Sequence, residues 1–106
     1  MSYRFMRVIV MFDLPSVTSE EKREYRNFRK YLIKNGFMML QESVYCKLAL
    51  NQNASTYIMN AVRKNKPKTG LIQMIAITEK QFSKMELVLG ETNEEIINSE
   101  ERVVVI

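Results

Sequence analysis

Histidine is absent from all 106 residues, and cysteine occurs once, as Cys46. Without an imidazole the chain has no Ser-His-Asp triad and none of the common histidine-based zinc or iron sites. A lone cysteine excludes an internal disulfide framework and a cysteine-built zinc site. Tryptophan is missing and only three glycines occur, in neither a phosphate-loop nor a dinucleotide pattern. No apolar run approaches the ~18 residues of a membrane span. The opening Met-Ser-Tyr-Arg-Phe lacks the basic, apolar and small-residue sections of a secretory signal. The expectation is a cytoplasmic protein with no membrane partner. Any catalysis then falls to carboxylates with a hard metal, to Lys or Tyr, or to a partner protein.

What is present describes an ordinary globular chain, 46% hydrophobic and 26% charged. With no linker, repeat or low-complexity stretch, residues 1–106 are expected to form one domain. A net charge of +4 and a pI near 9.3 suggest a polyanionic partner without establishing one.

Met6 to Asp13 predicts a strand that Pro15 ends. Alternation puts Met6, Val8, Val10 and Phe12 on a core face, and Arg7, Ile9, Met11 and Asp13 on the other. Thr18 followed by Glu21 is a capping-box signature, and Gly36 a suitable stop, so a helix lies between them. Tyr25, Phe28 and Leu32 form its apolar stripe. Arg23, Lys30 and Lys34 point away from the stripe, with Lys22, Arg26 and Arg29 on the flank. Phe37–Leu40 and Ser43–Leu50 predict two strands, the second with Val44, Cys46, Leu48 and Leu50 on its buried face. Asn53 or Ser55 is expected to cap a second helix to about Lys64, with Ile58, Met59 and Val62 inward. Pro67 and Gly70 mark a loop, and Leu71–Thr78 a fourth strand.

The order βαββαβ is the ferredoxin-like plan, an α+β fold with both helices on one face of an antiparallel sheet. The other face, carrying Ile9 and Met11, is too apolar to stay wet, which predicts a sheet-to-sheet homodimer. Beyond Thr78, "EKQFSKM" suggests a helical turn, "ELVLG" a short strand and "ETNEEIINSEE" an acidic connection. The end "RVVVI" is expected to be an extra C-terminal strand docked on a sheet edge, making residues 79–106 an extension for docking. The eight methionines are expected to fill the core.

Two readings are open for Asp13. It is a ligand for Mg²⁺ or Mn²⁺, which prefer oxygen donors, or it closes an Asx turn before Pro15. As a metal ligand one copy is not enough, and two Asp13 side chains near a dimer axis could share one ion. Six cations on the first helix, Lys22, Arg23, Arg26, Arg29, Lys30 and Lys34, suit a phosphate backbone or form a solvated face paired to Glu20 and Glu24. Arg63, Lys64, Lys66 and Lys68 offer a second backbone contact or a soluble turn. Stacking platforms for single-stranded bases are poorly supported, since "QESVYCKL" offers only Tyr45.

These parts resemble a known family. "RVIVMFDLP", "EEKREYRNFRKYLIKNGF", "LQESVYCKLAL", "TEKQFSKM" and "NSEERVVVI" are together similar to the small CRISPR-associated adaptation protein, Cas family two, in its type II-A form, whose "SVY" replaces the more general "SVF". The resemblance implies a homodimer that bridges two dimers of the CRISPR integrase, in an assembly that captures a short prespacer duplex and inserts it as a new spacer. It implies that Asp13 binds Mg²⁺ at the dimer interface, and that members act as metal-dependent endonucleases on RNA or double-stranded DNA. By analogy Arg23, Arg26, Arg29 and Lys30 contact the duplex, and "RVVVI" pairs subunits and docks the integrase.

Three functions follow as expectations. One is a cationic scaffold for duplex DNA whose chemistry belongs to the integrase, resting on Arg23, Arg26, Arg29, Lys30, Lys34, Lys64, Lys66 and Lys68. Another is a Mg²⁺-dependent phosphodiesterase with Asp13 as its catalytic and metal-binding residue. The last is a small-ligand regulator, which the cationic helix disfavours.

Overall fold

The computed structural model describes residues 5–91. The elements are β1 (Met6–Asp13), α1 (Ser19–Lys34), β2 (Met38–Gln41), β3 (Val44–Ala49), α2 (Gln52–Lys64), β4 (Leu71–Thr78) and α3 (Glu79–Phe82). The sheet order is β2-β3-β1-β4 with every pairing antiparallel, as the ferredoxin-like plan requires. β1 is paired on both sides, so its ladder hydrogen bonds are satisfied along both edges.

Local chemistry explains the boundaries. Thr18 and Glu21 close the expected capping box on α1. At the other end the Gly36 N–H bonds the Ile33 carbonyl and the Phe37 N–H the Leu32 carbonyl, a Schellman pair in which buried Phe37 and Leu32 meet. Gly36 takes φ +90, the left-handed conformation this stop needs. α2 is capped by Asn51, whose Oδ1 accepts the Ala54 N–H at 2.8 Å. The expectation of Asn53 or Ser55 is therefore corrected. Ser55 is already helical and buried, and its hydroxyl turns back to the Gln52 carbonyl.

The core lies between the helices and one sheet face. Val8, Val10, Phe12 and Leu14 meet Phe28, Leu32, Phe37, Tyr45 and Val62, with Tyr25, Ile58, Met59, Ile72 and Met74 packed at its edge. β3 corrects the sequence reading. Its inward residues are Tyr45 and Ala49, opposite Val10 and Met6, whereas Val44, Cys46 and Leu48 stand opposite Met11, Ile9 and Arg7 on the face away from α1 and α2. Both faces of this sheet are apolar, so alternation could not select between them. The bulk of Tyr45 decides it, together with Lys47, whose Nζ reaches the Asn35 carbonyl at the end of α1 at 2.6 Å.

"EKQFSKM" does contain the expected turn, α3, with Thr78 and Gln81 in a second capping box. "ELVLG" is not a strand. Residues 85–90 leave the sheet without pairing, and Leu87, Val88 and Leu89 are exposed. The methionines divide, Met6 and Met74 going to the core while Met38, Met39 and Met85 are exposed. The expected strand at "RVVVI" and the acidic connection from Thr92 lie outside the described residues.

Candidate nucleic-acid interface and the Asp13 carboxylate

Asp13 is the last residue of β1, opposite Leu71 at the start of β4. Leu14 then turns into the core and Pro15 stops the strand. Gly70 lets the α2–β4 loop close on this corner. It has φ +113, and a Cβ there would lie 2.5 Å from Leu14 Cδ2 and 3.2 Å from both the Asp13 carbonyl oxygen and Pro15 Cδ. On the face away from α1 and α2 the Asp13 side chain is exposed, and among the described residues its carboxylate has no hydrogen-bond or ion-pair partner.

Among the described residues no three His, Cys, Asp or Glu side chains gather to hold a metal. Asp13 is thus an exposed hard-oxygen side chain outside any such cluster. That fits Mg²⁺, which is usually held by one or two carboxylates with waters and substrate phosphates completing its shell. It does not fit an all-protein cage. Glu42 lies in the β2–β3 turn, which runs beside the end of β1 where the Phe12 N–H bonds the Ser43 carbonyl at 3.0 Å.

The outer face of α1 carries the expected cations. Lys22, Arg23, Arg26, Lys30 and Lys34 are all exposed. The acids that could have balanced them are engaged elsewhere. Glu21 accepts the Val17 and Thr18 N–H groups, Glu24 accepts the Lys68 N–H at 3.0 Å, and Glu20 faces the Lys68 ammonium at 3.9 Å. Lys22, Arg23, Arg26, Lys30 and Lys34 consequently have no acidic partner among the described residues. Arg29 is held differently, its Nε donating to the Tyr45 hydroxyl at 2.8 Å.

The second cationic group is less open. Lys64 and Lys66 are exposed at the end of α2 and in the loop after it, where Arg63 bonds Asn60. Lys68 stands against the acidic start of α1, its charge locally balanced by Glu20.

Sequence reasoning missed a cluster around Arg7. Its guanidinium donates twice to Glu79, at 2.9 and 2.5 Å, and once to Cys46 Sγ at 3.7 Å, and lies 4.3 Å from the centre of the Phe82 ring. Burial works to lower the Arg7 pKa, but the Glu79 carboxylate and Cys46 outweigh it and the result is raised. Burial pushes the Cys46 thiol up, against the pull of Arg7. The only sequence signal was a charge at position 7 in an apolar strand, and its partner lies 72 residues away. The cluster fastens α3 to the sheet. It sits six residues along β1 from Asp13, roughly 20 Å at strand rise, so Glu79 is no ligand beside Asp13.

A family model described as "CRISPR associated protein Cas2" matches residues 6–85, from β1 through α3. The chain belongs to the Cas2 family. Relatives include a Treponema denticola protein 52% identical over 101 residues, covering 95% of this chain and 100% of the relative. A Streptococcus mutans serotype c protein is 48% identical over 99 residues, 93% of this chain and 91% of its own. One from Ligilactobacillus salivarius is 41% identical over 101 residues, 95% and 100% of the two chains. Each bears the name CRISPR-associated endoribonuclease Cas2. A solved structure titled "Crystal structure of cas2" has a TM-score of 0.49 at 17% identity, over 96% of this chain and 98% of the other.

Within this Cas2-family chain the two candidate sites lie on opposite layers. Asp13 belongs to the sheet face away from α1 and α2, and the α1 cations to the outer side of the helix layer. A single copy does not bring them together. Among the described residues no helix is long and apolar enough to cross a membrane.

Proposed function

We propose that this Cas2-family protein is a cytoplasmic homodimer that binds the phosphate backbone of duplex DNA and bridges integrase dimers during CRISPR spacer acquisition. The observation that carries this reading is the row of α1 cations whose potential acidic partners are turned to caps and to Lys68. Such a row attracts phosphates without reading bases. The dimer is supported by the sheet face away from α1 and α2, on which Ile9, Met11, Leu48, Leu71 and Ile75 are apolar side chains at least partly open among the described residues. Stacking those faces turns both helix layers, and their cations, outward.

The test is binding of a labelled duplex across a salt series. The logarithm of the binding constant should fall linearly with the logarithm of salt concentration, with little dependence on sequence. Salt-insensitive, sequence-selective association would overturn the reading.

A second activity is cleavage of RNA or double-stranded DNA with Mg²⁺ or Mn²⁺; the relatives' name supports cleavage of RNA, and the exposed Asp13, without a partner among the described residues, supports a metal ligand there. In a sheet-to-sheet dimer the two Asp13 carboxylates would hold the ion. When bound, that ion polarises a phosphoryl oxygen and lowers the pKa of an attached water. The α1 cations bring the strand to the protein without taking part in bond cleavage. Cleavage of a labelled RNA should be lost in Asp13→Asn while duplex binding and dimer mass persist. Reconstituted integration with the integrase should survive Asp13→Ala, and its loss in an intact, duplex-binding dimer would give the carboxylates a role in integration itself.

A further inference from the structure

Arg29 differs from its neighbours on α1 in being anchored by a buried side chain. Tyr45 is 0% exposed, with its ring stacked on Phe12 at 5.7 Å between centroids. Its hydroxyl reaches the core boundary under α1, where the Arg29 Nε–H is the donor it accepts. A hydroxyl at that depth needs a partner, and Arg29 supplies it while its own side chain stays exposed. Lys22, Arg23, Arg26, Lys30 and Lys34 have no such anchor among the described residues.

The consequence lies in which nitrogens remain. With Nε committed to Tyr45, the two terminal nitrogens of Arg29 keep all their N–H groups, and neither has a hydrogen-bond or ion-pair partner among the described residues. Those groups form the end-on fork that matches two oxygens of a phosphate. An arginine held at Nε loses less freedom on binding than one moving freely, so its fork is set before the ligand arrives.

We propose that Tyr45 is a positioning residue that preorganises Arg29 as a fixed phosphate-binding fork on the flank of the α1 cationic face. The ligand is a phosphodiester group of a nucleic-acid backbone. This rests on the backbone-binding reading and adds to it which cation is rigid and what makes it so.

The hydroxyl can be removed alone. Tyr45→Phe keeps the ring and its stacking on Phe12, and Arg29→Lys keeps the charge but loses both the fork and the Nε anchor. Binding of a labelled duplex is measured at several salt concentrations for the wild type, Tyr45→Phe, Arg29→Lys, Arg29→Ala and the Tyr45→Phe/Arg29→Ala pair. Tyr45→Phe and Arg29→Lys should each weaken binding about three- to tenfold, the scale of one hydrogen bond's net worth. Because neither changes charge, their salt slopes should equal the wild type's. Arg29→Ala should weaken binding further and make the slope shallower by ~0.9 for each phosphate that is no longer neutralised.

In the Arg29→Ala background, adding Tyr45→Phe should have no further effect, since the hydroxyl acts only through the guanidinium. Wild-type affinity in Tyr45→Phe or in Arg29→Lys would overturn the proposal. So would an equal loss from Tyr45→Phe with and without Arg29, which marks a structural role. Absence of salt-dependent binding by the wild type would instead bring down the backbone-binding reading, and the positioning role of Tyr45 with it.

Discussion

Replacing Gly70 with alanine tests how the corner that carries Asp13 is built. Two penalties act there. At φ +113 any side chain is strained, by about 1–2 kcal/mol. The added Cβ also meets Leu14 Cδ2 at 2.5 Å and the Asp13 carbonyl oxygen and Pro15 Cδ at 3.2 Å. Leu14 is packed in the core, the proline ring is rigid and the oxygen is backbone, so none retreats cheaply. Overpacking of this kind adds about 1–3 kcal/mol. Gly36 is the control, with φ +90 but only the flexible Lys47 side chain near its Cβ position, at 3.4 Å or beyond. Gly36→Ala should therefore cost about 1–2 kcal/mol and Gly70→Ala about 2–5 kcal/mol. The stiffening of the unfolded chain by alanine is common to both and cancels. Urea denaturation with thermal melts measures the difference, which corresponds to a further drop in Tm of roughly 5–15 °C for Gly70→Ala. Equal destabilisation by the two variants would refute the reasoning, because the corner would then yield without resistance.

Three further outcomes follow from side-chain environments. Glu21 has its pKa lowered from 4.5 by the backbone N–H groups of Thr18 and Val17, so its contribution to stability is full above that value and is lost as pH falls through the lower folded value; in acid titrations of stability the wild type should fall more steeply than Glu21→Gln, and parallel curves would contradict this. Glu79→Ala leaves the Arg7 guanidinium without its bidentate partner and should cost about 1.5–3 kcal/mol in urea denaturation, whereas Lys68→Ala at the exposed Glu20 pair should stay within about 0.5 kcal/mol; equal effects would deny that burial separates the two pairs. Cys46 is fully buried with its thiol pKa pushed up by burial, so a thiol reagent at pH 8 should label it only on unfolding, and rapid stoichiometric labelling of the native protein would refute its placement.

The opposite placement of Asp13 and the α1 cations bears on how the proposed roles combine. If the sheet faces stack, each Asp13 turns toward the partner copy while the helices face outward. Binding and bond cleavage then use different surfaces and can be lost separately. A neutral residue at position 13 changes the sheet face opposite the α1 cations, so duplex affinity should be nearly unchanged.

Local sequence alone determined β1 and the ends of α1. Each rests on a short-range rule: alternation and a following proline for β1, a capping box for α1, a glycine in the left-handed region to stop it. Asp13 and the α1 cations were legible for the same reason, since a strand-end carboxylate and a helical stripe are periodic features. The face of β3 was not, because residues of both parities are apolar and only packing against Val10 and Met6 chose Tyr45 and Ala49. Nor were the pairs that define electrostatic balance. Glu24 could have paired with the cations on its own helix, and only the folded α2–β4 loop took it to Lys68, 44 residues away. Arg7 found Glu79 and Arg29 found Tyr45 by the same kind of long-range closure. Periodicity fixes which side of an element a residue occupies. What stands opposite it is decided by the path of the chain, and that path exists only once the layers have packed.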